Sequence, residues 1–88
     1  MDGVAEIESM VCGTLARATN WDVGALTSRT SLSELAIDSL SLTTLIAQLE
    51  ATFTIRLSPE QHVAIYEADD IGTIVTVARD ALAQMSDA

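Results

Sequence analysis

The chain is poor in the residues that build disulfides, metal sites and nucleic-acid surfaces. Its 88 residues include no lysine, one proline, one cysteine and one histidine. The lone Cys12 cannot form an internal disulfide, and with only His62 elsewhere it does not make a metal site. The four arginines are scattered singly, whereas nucleic-acid binding needs clustered positive charge. We therefore expect no metal and no nucleic-acid partner.

Targeting and membrane-spanning signals are also missing from the sequence. The first residues lack the basic segment and apolar run of a signal peptide. No stretch approaches the roughly 20 consecutive apolar residues that a membrane span requires. The expectation is a cytoplasmic protein without a membrane partner.

What the chain has in quantity is acidic and apolar residues. Thirteen Asp and Glu give a formal net charge of −9, and 49% of the residues are hydrophobic. The apolar content argues against disorder, because disordered chains combine high charge with low hydrophobicity. Domains usually run to about 100–150 residues, so the length predicts one domain over residues 1–88, without a second core. We expect a monomer with an acidic surface and no deep catalytic cleft.

Hydrophobic periodicity predicts four helices and no strand. Apolar residues recur at intervals of three and four in four segments. The predicted helices cover about residues 3–17, 39–53, 59–66 and 70–85. Residues 18–38 are rich in turn formers and predict a long loop. The apolar residues expected to pin this loop to the core are Trp21, Val23, Leu26, Leu32 and Leu35. The fold class is therefore all-α, a small four-helix bundle with a short third helix.

Two helix starts carry capping signals. Asp38 is a good N-cap and places Ser39 at the first helical position. Ser58, with Pro59 after it and Gln61 three residues on, has the pattern of a capping box. The apolar residues of the helix that follows are Val63, Ile65 and Tyr66. The last helix should bury Ile71, Ile74, Val75, Ala78, Leu82 and Met85.

The helix predicted over 39–53 has two contrasting faces. Its inward stripe is Leu42, Leu45, Ile46, Leu49 and Phe53, and its opposite face carries Leu40, Thr44, Ala47 and Ala51. Glu50 is the only charged residue between Ser39 and Ile55. One interpretation is that this helix is buried on most sides. The other is that the second face docks a partner, with Leu40 as an apolar anchor.

Ser39 is the leading candidate for chemistry. An Asp-Ser pair at a helix start is, taken alone, most often only a cap. The position of Ser39 at a helix start favours a further role as an attachment site for a phosphodiester, because free N–H groups and the positive dipole end of a helix stabilise a phosphate there. Hydrolytic use is disfavoured, since there is no G-x-S-x-G elbow and no predicted partner base. We predict no catalytic residue: His62 is expected to be a boundary residue and Cys12 a small buried hydrophobe.

An acidic cluster surrounds the third predicted helix. It comprises Glu60, Glu67, Asp69 and Asp70. These residues are either a solvated edge or a recognition patch for basic residues of partners. The second possibility supports a rival function, a small acidic interaction module without a prosthetic group.

The chain resembles the acyl carrier protein family over nearly its whole length. The residues that carry this resemblance are Leu35-Ala36-Ile37-Asp38-Ser39-Leu40, then Phe53-x-Ile55-x-Leu57 with Pro59. The resemblance implies that Ser39 bears a 4′-phosphopantetheine arm, added from coenzyme A by a phosphopantetheinyl transferase. Acyl groups would be attached to the arm's thiol as thioesters. Asp38 would be the flanking acid near the magnesium and the transferase.

The resemblance also implies partners. Besides the transferase these are a ketosynthase, an acyltransferase or acyl-activating ligase, and tailoring enzymes. The partner-binding residues it suggests are Leu40, Thr44, Ala47, Glu50, Glu60 and Glu67.

Three departures from the family's pattern narrow the expected role. Primary fatty acid carriers usually have acidic residues where this chain has Ser41 and Thr44, and the usual glycine before the motif is Ala36. Peptidyl carriers usually show two glycines there, whereas this chain has Ala36 and Ile37. The sequence therefore favours a carrier of polyketide or other specialised metabolism. A free-standing aminoacyl carrier of nonribosomal peptide synthesis is the alternative.

Overall fold

A computed structural model describes residues 4–86 of the chain. The elements, in chain order, are α1 (Val4–Thr19), a 3₁₀ turn (Val23–Ala25), α2 (Leu32–Leu35), α3 (Ser39–Phe53), α4 (Pro59–Tyr66) and α5 (Ile71–Ser86). No strand occurs among these residues, although Ser31 and Asp70 form one isolated antiparallel bridge. The all-α class that the sequence predicts is confirmed.

The core is built from one apolar stripe on each long helix. The largest fully buried side chains are Ile7, Val11, Leu15, Leu45, Leu49, Ile65, Ile71 and Ile74. They come from α1, α3, α4 and α5, and α4 contributes only Ile65. Burying each such side chain stabilises the fold by about 1.5–3 kcal/mol. The core therefore fixes which side of α3 is left for solvent.

Three apolar residues of the predicted helices lie outside the core, and one of them, Met85, was expected in the buried stripe of the last helix. Val63 and Tyr66 on α4 are 52% and 41% exposed, and Met85 is 48% exposed. Because α4 has only eight residues, it turns a narrow side to the core, and Ile65 alone fills it. Met85 lies in the last turn of α5, beyond Ala81, the last buried residue of that helix.

The connection between α1 and α3 is more structured than the predicted loop. It contains the 3₁₀ turn and α2. Leu26, Leu32 and Leu35 are buried as expected, but Trp21 and Val23 are 43% and 51% exposed. Both lie directly after α1, where the chain turns and the bundle offers them no cover.

Backbone pairing fastens this connection to the start of α5. Three hydrogen bonds are involved: Leu32 N–H to Asp69 O (2.9 Å), Ile71 N–H to Thr30 O (3.1 Å) and Gly72 N–H to Ser28 O (2.8 Å). A Cβ at Gly72 would lie only 3.0 Å from the Ser28 oxygen, so glycine permits the close approach. The connection is thereby held in one place relative to α5.

Three helices end in left-handed residues that are not glycine. Asn20 has φ 63°, Ala36 has φ 55° and Thr54 has φ 52°. Glycine usually occupies such positions because a Cβ is strained there by about 1–2 kcal/mol. Thr54 follows α3 and is β-branched, the kind of side chain for which this conformation is least favourable.

Replacing Thr54 by glycine should therefore raise the free energy of unfolding by about 1 kcal/mol, because it removes the Cβ strain. Thr52 is also exposed and lies two residues earlier, inside α3. Thr52→Gly should lower stability by about 0.5 kcal/mol through weaker helix propensity. Urea unfolding of both variants measures the two effects. A loss of stability in Thr54→Gly as large as that in Thr52→Gly would contradict the strain argument.

Candidate functional site

Ser39 occupies the first position of α3 and is exposed. Asp38 is the N-cap: its Oδ1 accepts from the Ser41 N–H at 2.8 Å, and its backbone oxygen accepts from the Leu42 N–H at 3.2 Å. These two bonds fix where the helix begins. The Ser39 hydroxyl makes no hydrogen bond within residues 4–86, so it is available to an approaching enzyme.

The chain reaches this serine through a tight turn at the end of α2. The Ala36 N–H donates to Ser33 O at 3.2 Å, and the Ile37 N–H donates to Leu32 O at 3.5 Å. This is the pattern of a Schellman motif, with the left-handed residue at Ala36. The conformation gives a physical reason for the glycine usual before the Asp-Ser-Leu motif, and alanine adopts it here at a cost in strain.

Hydrogen bonding keeps Asp38 ionised. The Ser41 backbone N–H, with a further contribution from the Ser41 side chain, lowers the pKa of Asp38 below its ordinary value of 3.8. The carboxylate therefore stands as a fixed negative charge beside the Ser39 hydroxyl. Its hydrogen bond to the Ser41 N–H leaves the N–H groups of Ser39 and Leu40 without partners among the described residues.

A hydroxyl chain that the sequence did not predict lies beside Ser39. Thr43 Oγ1 donates to the Ser39 carbonyl oxygen at 2.9 Å. The Tyr66 hydroxyl, from α4, lies 2.5 Å from the same Thr43 oxygen. The sequence identifies Tyr66 only as an apolar residue of its helix, because nothing in the local pattern signals a contact across 23 positions.

The predicted outer face of α3 is exposed in the structure. Leu40 is 74% exposed, and Thr44, Ala47 and Ala51 are also exposed. Thr44 Oγ1 donates to the Leu40 carbonyl oxygen at 3.1 Å, so its polar atom is turned back to its own helix. The face is smooth and uncharged, and it begins one residue after Ser39.

A groove of about 340 Å³ separates this face from α1. It is lined by Thr14, Arg17, Ala18, Leu40, Ser41, Thr44 and Gln48. Thr14 Oγ1 donates to Gln48 Oε1 at 2.8 Å, which joins α1 to α3 within the lining of the groove. Leu40, the residue after Ser39, is part of this lining.

The predicted acidic partner-binding residues are not brought together. Glu50 is partly buried, and its Oε2 accepts from the Leu57 N–H at 3.0 Å and lies 3.8 Å from His62 Nε2. Its carboxylate therefore joins α3 to the segment before α4. Glu60 and Glu67 are exposed at opposite ends of α4.

No nucleophile and base are paired at this site. Glu50, which His62 approaches, lies 11 residues after Ser39 on α3, about 16 Å further along the helix axis. Cys12 is buried, and desolvation, followed by the nearby Glu8 charge, raises the pKa of its thiol. A raised pKa disfavours the reactive thiolate. The arrangement suits Ser39 as an acceptor of a group rather than as a catalyst.

The described residues contain neither a metal-binding cluster nor a membrane-spanning helix. Within residues 4–86 no group of three or more His, Cys, Asp or Glu side chains is arranged to hold a metal ion. None of the helices in this range has the length and apolar character to cross a membrane.

The comparisons with known proteins agree with this geometry. The family described as "Phosphopantetheine attachment site" has a model that matches residues 10–77, which is more than three quarters of the chain and includes Ser39. No curated protein matches the chain significantly. The chain belongs to the phosphopantetheine attachment family, and the resemblance to acyl carrier proteins is confirmed.

The residues at the start of α3 fit the prosthetic group. Covalent 4′-phosphopantetheine is the cofactor of this family. It needs an exposed hydroxyl, which Ser39 supplies, and its phosphodiester is stabilised by free N–H groups at a helix start, which Ser39 and Leu40 supply. The chain is therefore a phosphopantetheine carrier, and the rival module without a prosthetic group is not supported.

The depressed pKa of Asp38 predicts a contribution to acid stability. A carboxylate whose pKa is lowered on folding stabilises the protein above its unfolded pKa, and this stabilisation is lost as pH falls through the folded pKa. Asn at this position still caps the helix but does not titrate. Asp38→Asn should therefore lose less stability than the wild type when pH falls below about 4.

Thermal unfolding of the two proteins between about pH 6 and about pH 2 measures this difference. Asp69→Asn is the matched control, since the Asp69 carboxylate makes no hydrogen bond within the described range. Identical acid profiles for Asp38→Asn and the wild type would contradict the prediction.

Proposed function

We propose that Ser39 carries the 4′-phosphopantetheine arm, and that the chain tethers acyl or polyketide intermediates as thioesters for partner enzymes of specialised metabolism. The observation that supports this most directly is the exposed Ser39 hydroxyl at the first position of α3, beside the ionised Asp38. Loading replaces the hydroxyl proton with the phosphopantetheinyl group of coenzyme A and releases adenosine 3′,5′-bisphosphate. A transferase would supply the base, because the neighbouring Asp38 carboxylate accepts from the Ser41 N–H and no described residue hydrogen-bonds the Ser39 hydroxyl. We infer a cytoplasmic location, where coenzyme A is available.

The arm supplies a thiol that holds the cargo as a thioester. The protein's own contribution is position: α3 keeps Ser39 at its solvent-exposed end, away from the packed core. Tethering raises the effective concentration of the cargo at any enzyme that docks on the carrier. The carrier therefore acts by presentation, and the chemistry belongs to the partners.

The uncharged face of α3 supports a specialised pathway. A carrier that docks through acidic residues after the serine would need carboxylates where this chain has Ser41 and Thr44. Here Leu40 is 74% exposed and Glu50 is engaged with Leu57. We infer that partners dock by apolar contact and shape along Leu40, Thr44 and Ala47, with Glu60 and Glu67 at the margin. An aminoacyl carrier of nonribosomal peptide synthesis is the second candidate.

Ser39→Ala should abolish loading and leave the fold intact, because only an exposed hydroxyl is removed. The test incubates the purified protein with coenzyme A, magnesium and a permissive transferase, then reads the intact mass and maps the modified residue. Ser33→Ala, which changes another exposed serine, should load like the wild type. Modification of the Ser39→Ala protein, or of another residue in the wild type, would overturn the assignment.

Thr44→Arg should still fold but should weaken acyl transfer from partner enzymes about tenfold, the loss typical of a changed interface anchor. The arginine would place a long charged side chain next to Leu40 on the otherwise uncharged face. Transfer rates onto the loaded protein from a ligase, an acyltransferase and a ketosynthase measure the effect. Thr52→Arg, exposed near the far end of α3, is the control. Unchanged transfer from every partner would contradict docking at this face.

A further inference from the structure

Tyr66 is an exposed aromatic residue with a fixed hydroxyl. Its side chain is outside the core, yet its hydroxyl meets Thr43 Oγ1 on the neighbouring helix. Thr43 has one hydroxyl proton, and that proton is donated to the Ser39 carbonyl oxygen. The Tyr66 hydroxyl must therefore be the donor to Thr43. This gives a directed chain of hydrogen bonds from Tyr66 through Thr43 to the backbone of Ser39.

The direction of the chain ties α4 to one particular turn of α3. Tyr66 is the last residue of α4, a helix that buries only Ile65. The hydroxyl bond therefore orients an end of α4 that has little core contact of its own. It also holds the phenol oxygen beside Thr43, in the first turns of α3.

Tyr66 lies on the same side of α3 as Ser39. Residues four apart on a helix are neighbours on one face, with about 5–6 Å between their Cβ atoms, so Ser39 and Thr43 share a face. The Tyr66 hydroxyl meets this face at Thr43, so the ring that carries it lies close by. Leu40, Thr44 and Gln48 lie further round α3 and line the groove at α1. A group attached to Ser39 therefore emerges beside the ring.

We propose that the Tyr66 ring, held by Thr43, is the subsite on which the first segment of the arm on Ser39 rests. Next to its phosphate, phosphopantetheine carries a pantoyl unit with two methyl groups, and methyl groups pack well on an aromatic face. The ring is partly exposed and already ordered, so little further entropy is lost on contact. This inference rests on the proposed function, because it requires the arm to be attached at Ser39.

The consequence concerns presentation of the cargo. An arm whose root rests on Tyr66 leaves the protein on the α4 side of α3, while the Leu40 face stays free for a docked partner. Tyr66 and Thr43 are thus positioning residues that separate the path of the arm from the docking surface. Neither residue takes part in a bond-making step.

The test is the proton spectrum of the arm on the loaded protein. A methyl group over an aromatic ring has its resonance shifted by the ring current, and Tyr66 is the aromatic residue that the hydrogen bonds of the described residues link to Ser39. In the loaded wild type, both pantoyl methyl resonances should be displaced from their positions in free coenzyme A. In Tyr66→Leu they should return to the free positions.

Variants at Thr43 separate positioning from mere presence of the ring. Thr43→Val keeps Tyr66 but removes the hydroxyl that orients it, so the displacement should shrink toward the free value. Thr43→Ser keeps the hydroxyl and should restore the wild-type displacement. Thr44→Val is the matched control, because it removes a like bond, from Thr44 Oγ1 to Leu40 O, that has no tyrosine attached.

The outcomes distinguish this inference from the function on which it rests. Intact mass is read first, and a wild type that gains no phosphopantetheine on Ser39 overturns the function. A loaded wild type whose methyl resonances match free coenzyme A overturns the subsite alone. Equal changes in Thr43→Val and Thr44→Val overturn the role of the Tyr66–Thr43 bond. Backbone amide spectra confirm that each variant keeps the fold.

Discussion

The attachment to α5 of the connection between α1 and α3 is the constraint on which the candidate site depends. The connection has nineteen residues, and three backbone hydrogen bonds join it to the start of α5. One of these bonds favours glycine at position 72, because a Cβ there would crowd the Ser28 oxygen. Because this segment is fixed, α2 and the left-handed turn at Ala36 place Asp38 at the start of α3. The exposure of Ser39 is therefore set by contacts made far from it in sequence.

The sequence predicts the elements whose information is local. The start of α3 follows from the capping chemistry of Asp38, and the buried side of α3 follows from the spacing of Leu42, Leu45 and Leu49. Both signals span fewer than a dozen residues. The exposure of Leu40 follows as well, because it lies opposite that stripe.

Features that depend on contacts between distant residues could not be predicted from the sequence. The helix α2 has four residues, too few to show a period. Trp21 and Val23 are apolar in composition but lie where no other element covers them. The hydrogen bond between Tyr66 and Thr43 joins side chains on two helices, and neither residue type indicates such a contact. The hydrogen bond from the Leu57 N–H to the Glu50 carboxylate could not be predicted either, because it depends on the path of the chain at Leu57.

The left-handed residues bear on how readily this carrier can change its partners. Asn20, Ala36 and Thr54 are far apart in sequence, so the effects of changing each should add. A domain of this size has a stability of about 4–13 kcal/mol, so three strained positions are a sizeable fraction of it. Substitutions that relieve the backbone strain at Asn20 or Thr54 leave the outer face of α3 unchanged. Substitutions on the proposed docking face that lower the stability of the fold can therefore be compensated by substitutions at these distant helix ends.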